Sequence, residues 1–138
     1  MAQLVMTNAF VTVNGVDLSD HVKSVTLDLG FTMLNDTVMG DTFESNVAGI
    51  QTWSASIDFV QDWASSKVDQ TLFPLLGAAA FTIVMQPVNT TEAATNPKYT
   101  GSAVLSSYNP LGSGSHGDLV ITSAKFACAG ALTKDITP

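Results

Sequence analysis

The sequence predicts a mainly β protein, an antiparallel β-sandwich or barrel with one short flanking α-helix and one long loop. Three observations carry that expectation. Thr, Ser and Val dominate the 138 residues, and β-branched residues beside short polar neighbours suit a pleated, half-buried surface. Apolar and polar residues alternate with period two in several separate runs. Gly, Pro and Asn punctuate those runs where turns would fall.

The elements follow in order. Residues 10 to 14 (FVTVN) alternate and run into Asn14-Gly15, a dipeptide that supplies the positive φ angles of a tight hairpin turn. Residues 22 to 29 place Val25, Leu27 and Leu29 on one side of a strand and Ser24, Thr26 and Asp28 on the other. Residues 30 to 50 show neither period strongly, yet carry Phe31, Met33, Leu34, Val38, Met39 and Phe43. An apolar loop of that length is costly to leave in water, so it is expected to pack on a second copy of the chain. An irregular hairpin covering its own core is the alternative.

Residues 52 to 61 give the clearest strand, with Trp53, Ala55, Ile57 and Phe59 alternating with Ser54, Ser56 and Asp58. One face is core and the other is wet. A short helix is expected over 65–77, where Val68, Leu72, Leu75 and Leu76 recur at helical spacing. Ser65 or Ser66 would cap it, Asp69 suits its first turn and Gly77 its end. Pro74 removes a backbone donor there and should end or distort the helix. Further strands read at 81–86, 99–108 and 118–128, the last two separated by the loop NPLGSGSHG. The expected core joins Trp53, Ile57 and Phe59 to Val25, Leu27, Leu105 and Ile121.

Composition excludes whole classes of function. A chain of 14.5 kDa is one domain's worth of material, so residues 1–138 are read as one domain. Its 46% apolar and 12% charged residues exclude disorder. Five lysines, no arginine and 12 acids give a net charge of −7, which would repel a phosphate backbone. No basic, apolar N-terminal leader and no membrane-length apolar run is read in the sequence. Cys128 is the one cysteine, set in an alternating apolar run as an inert thiol.

Catalytic, cofactor and metal chemistry are not expected. His21 beside Asp20 and His116 near Asp118 lie in turn-like segments, and no G-x-S-x-G elbow activates a serine. Two distant histidines and one cysteine offer no zinc spacing. Asp17 and Asp20 read as a solvated Asx turn in preference to a Ca²⁺ site, and GSGSHG lacks the following helix of a phosphate cradle.

Five segments in order carry a resemblance: VTVNGVDLSDHV (11 to 22), DTVMGDTFESNVAGIQTWSASIDFVQDW (36 to 63), VDQTLFPLLG (68 to 77), NPKYTGSAVLSSYNPLGSGSHGDLVITSAKFA (96 to 127) and AGALT (129 to 133). Together they resemble the major tail protein, or tail tube protein, of long-tailed, siphovirus-type bacteriophages. The stretch after Gly40-Asp41 departs from that family, reading TFESNVAG with an acid at Glu44 where basic residues are associated with related proteins.

The resemblance implies a structural virion protein that forms homohexameric rings stacked into a hollow tail tube for DNA. It implies tape-measure, tail terminator and baseplate proteins as further partners, no specific DNA binding and no membrane. Segment 30–50 would then be the stacking loop between subunits or rings. A sheet in such a ring turns one face to its own core and the other toward the channel, making Ser24, Thr26, Asp28, Ser54, Ser56 and Asp58 candidate lumen-facing residues. Two rival classes stay open: a secretion-apparatus tube protein, which would share the fold and the ring, and a monomeric immunoglobulin-like binding or capsid-decoration module, which would need an exposed binding loop and form no rings.

Overall fold

The computed structural model describes residues 3–112 and 114–137. Seven strands run in chain order: β1 (Phe10–Val13), β2 (Val16–Asp17), β3 (Val22–Asn35), β4 (Asn46–Val60), β5 (Phe81–Gln86), β6 (Lys98–Tyr108) and β7 (Ile121–Asp135). Every pairing is antiparallel, in the spatial order β2-β1-β5-β6-β7-β4-β3. The sheet folds over on itself so that Val25 and Leu27 of β3 share an apolar groove with Val11 of β1, Met85 of β5 and Tyr99 of β6. No ladder joins β3 to β1 among the described residues, so the result is an open barrel.

Period-two alternation builds the core. Trp53, Ala55, Ile57 and Phe59 point inward from β4, facing Val11, Val13, Phe81, Ile83, Met85, Ala103, Leu105, Ala124 and Phe126. Phe81 and Phe126 meet edge to face at 5.9 Å, the arrangement the ring quadrupole favours. Asn14 and Gly15 both take positive φ, 52° and 82°, and close the β1–β2 hairpin as expected.

The predicted helix is shorter than expected: α1 covers Val68–Leu72, and a 3₁₀ turn continues it over Phe73–Leu75. Pro74 is the reason, since it cannot donate to an α-helical ladder but fits the start of a 3₁₀ turn. Neither serine caps it by a side-chain bond: Lys67 holds the cap position, and Ser66 is spent on a positive φ of 61°. Val68, Leu72 and Leu75 still bury against the barrel.

Of the expected core residues, two are less buried than expected and one is displaced. Val25 and Leu27 are half-buried against the core, because they line the barrel's open seam. Ile121 lies on the opposite parity of β7, whose inward residues are Thr122, Ala124 and Phe126. Thr122 is tolerated inside because its hydroxyl donates to the Asn109 carbonyl.

The largest difference falls on segment 30–50. It is a hairpin arm: β3 runs on to Asn35 and β4 begins at Asn46, pairing through Gly30↔Thr52, Met33↔Ala48 and Asn35↔Asn46. A register shift between Phe31 and Met33 breaks its alternation. Large apolar side chains project from both of its faces, which is why no period shows in the sequence. The arm does not cover its own core, and it leaves only the tip, residues 36–45, outside the strands.

Candidate assembly surfaces

The six polar residues of β3 and β4 come together on one outer face as three cross-strand pairs, Ser24↔Asp58, Thr26↔Ser56 and Asp28↔Ser54. Ser24 Oγ donates to Asp58 Oδ2 at 3.0 Å. All six are exposed or half-exposed. The ladder extends this face onto β7 through Asp58↔Ser123, Ser56↔Lys125 and Ser54↔Ala127. Lys125 therefore sets a cation among the small polar and acidic groups. Sequence reasoning missed it because counting Ile121 as core reverses the parity of β7. A lysine between two apolar neighbours was the signal that fixes the parity.

The arm is the second surface. Phe31, Met33 and Leu34 lie on its β3 half, and Val38, Met39 and Phe43 at its tip; all six are exposed, Met39 completely and Phe43 at 85%. Val47 and Ile50 of β4, not singled out in the sequence, add to the same exposed set. The tip holds its shape by its own hydrogen bonds: Asp36 N–H to the Ser45 carbonyl, Val38 N–H to Asp41 Oδ2 at 3.0 Å, and Ser45 N–H to Thr37 Oγ1 at 2.8 Å. Glu44 accepts from Asn35 Nδ2 at 3.2 Å, so this acid is used within the arm. Exposed apolar groups on a shaped element mark an interaction surface.

Polar clusters elsewhere tie elements of the fold together. His21 bonds Asp62 at 2.9 Å and not its sequence neighbour Asp20, tying the entry of β3 to the segment after β4. The Ala64 N–H and the His21 ring hold the Asp62 carboxyl below the usual carboxylate range. Tyr108 donates to Asp69 Oδ1 at 2.8 Å and accepts from Gln61 Nε2 at 2.9 Å, which fastens α1 to the sheet. Burial, reinforced by the Asp69 charge, pushes the phenol up to about 12. Asp17 accepts from the Ser19 N–H at 2.9 Å as the expected Asx turn. No group of three or more metal-ligating side chains gathers among the described residues.

With this geometry in hand, the comparisons with known proteins fall on one class of fold. No family model matches the chain, and no curated protein matches it significantly. Solved structures do. A chain from the virion of a native gene transfer agent particle superposes with a TM-score of 0.72 at 13% identity, covering 92% of this chain and 95% of its own. A chain from the tail of an empty particle of that kind, with C6 symmetry, gives 0.68 at 15% identity over 91% and 92%. A chain from the sheath/tube terminator structure of an extracellular contractile injection system gives 0.73 at 12% identity over 96% of each chain. The expected mainly β fold with one short helix is thus the fold found in tails and injection systems, matched over nearly its whole length.

Proposed function

We propose that this protein is a tail tube subunit: a structural virion protein, not an enzyme, that closes into hexameric rings which stack into the tail tube through which double-stranded DNA is ejected. The carrying observation is the near-complete superposition on a chain of a C6-symmetric tail, joined to an arm whose large apolar residues stay exposed in the single chain. A surface low in charge and rich in exposed apolar groups is what repeated contact between identical subunits requires.

The polar face of β3 and β4 is assigned to the channel. Its Ser and Thr side chains are short and leave bore for a duplex, while Asp28 and Asp58 give phosphates no place to bind. The arm is assigned to contacts between subunits or rings. Tape-measure, terminator and baseplate proteins are the further partners of this reading. Among the described residues no helix is long and apolar enough to cross a membrane.

The match to the injection-system chain supports a second reading, a secretion-apparatus tube protein of the same fold. Negative-stain microscopy of the purified chain tests the shared part: rings or tubes are expected, and a monodisperse ~14 kDa particle refutes it. DNA-filled particles assembled with the chain separate a phage tail from an injection system.

A further inference from the structure

The seven-stranded sheet splits. The β4–β7 ladder stops at Ser54↔Ala127. Beyond it, residues 46–53 of β4 pair only with β3, and residues 128–135 of β7 pair only with β6. Three residues, Ala129, Gly130 and Ala131, bulge from β7 opposite Ser102, because Gly101 pairs with Leu132 and Ala103 with Cys128. The two halves diverge around a cleft of about 490 Å³ lined by Gln51, Trp53, Cys128, Leu132 and the small bulge residues. Trp53 Nε1–H donates to the Gly130 carbonyl at 2.8 Å and bridges the two halves at the apex of the split.

Among the described residues, such a cleft lies between two strand edges with no ladder partner on that side, the Gly130 carbonyl being held by the Trp53 side chain. Backbone edges in this state recruit an extended segment, main-chain bonds supplying affinity and alternate side chains the fit. The same chain contains a segment with the complementary need. Residues 3–6 belong to no helix, strand or turn, and Leu4, Val5 and Met6 are exposed. Other non-strand segments are folded on their own bonds, as at the arm tip and at Asn96, which binds Val88 and Thr90. In the single chain Met6 sits at the seam beside Val25 and Leu27, and the cleft stays open.

We propose that residues 3–6 of one copy insert as an added strand into the β4–β7 cleft of a second copy. The contact is heterologous, joining an N-terminal segment to a cleft elsewhere on the chain, so it propagates from subunit to subunit and closes a ring or extends a stack. The small side chains of Ala129, Gly130 and Ala131 leave room for Leu or Val. This inference rests on the self-assembling reading above.

The one native cysteine lines the cleft and provides the probe. Leu4→Cys and, separately, Val5→Cys place a thiol on opposite faces of the inserted segment, so one of them meets Cys128. Tubes treated with the dithiol oxidant diamide should give covalent oligomers on a non-reducing gel, absent when Cys128→Ser is added. Tubes that form normally but yield no oligomers from either variant, or only an intrachain disulfide, overturn the inference and leave the tube reading intact. A wild-type chain that stays monomeric overturns both.

Discussion

At the scale of single residues, the barrel depends on how closely Trp53 approaches β6. A Cβ added at Gly101 would lie 2.7 Å from the Trp53 ring and 2.8 Å from Leu132. Leu132 can turn away, but the indole is held by its bond to the Gly130 carbonyl. Gly101→Ala should therefore destabilise the monomer by about 1–3 kcal/mol, the usual cost of overpacking. Urea unfolding followed by tryptophan emission reads it.

Tyr108 makes a second prediction, in alkali. Its folded value is raised from 10.0 to about 12 by burial first and then by Asp69. A neutral phenol is thus favoured by folding: its contribution is complete below pH 10 and is lost as pH rises through about 12. The wild type should lose stability faster than Tyr108→Phe over that window. Equal slopes for the two proteins would show that folding does not raise the Tyr108 phenol.

At the scale of elements, the arm and the barrel separate cleanly. The barrel core draws nothing from residues beyond Leu29 on β3 or before Trp53 on β4. Deleting residues 33–45 should leave a subunit with nearly unchanged thermal stability that no longer polymerises, because the ladder it shortens is paired only within the arm. Microscopy together with a melting curve checks both halves. Tubes of normal length from the deletion would remove the arm from the contact between rings. The short helix behaves differently, since Val68 and Leu72 are wholly buried and its loss would open the barrel.

At the scale of the whole molecule, the net charge of −7 allows a test of the proposed channel face. Replacing Asp28 and Asp58 together by Lys moves a net charge of four units per subunit onto the outer face of β3 and β4, where neither carboxylate contacts the core. Assembly should persist, and genome ejection should slow in a way that added salt relieves. Unchanged ejection, or a tube with both residues on its outer wall, would move the channel to another face. Lys125 sharpens the same test: Lys125→Ser should leave assembly and ejection intact if acids set the behaviour of the lining.

The sequence by itself determined the elements whose two faces differ. Alternation at Trp53, Ala55, Ile57 and Phe59, and the turn residues Asn14 and Gly15, made the β class, the core face of β4 and the first hairpin legible, because burial on one side writes a period of two into the chain. The polar pairs of β3 and β4 were legible for the same reason. Where both faces of an element meet the same surroundings, no period is written. Hence the arm read as a loop: Phe31, Met39 and Phe43 are exposed on an element with no core beneath it. On β7 one hydroxyl, that of Thr122, enters the core only because the Asn109 carbonyl comes to meet it. Lys125 between Ala124 and Phe126 carried the parity in the sequence, but only the tertiary structure decided how a buried hydroxyl is satisfied, along with the seam beside Val25 and the cleft beside Trp53. Each arises where strands part company, and the divergence of two ladders depends on residues far apart in the chain.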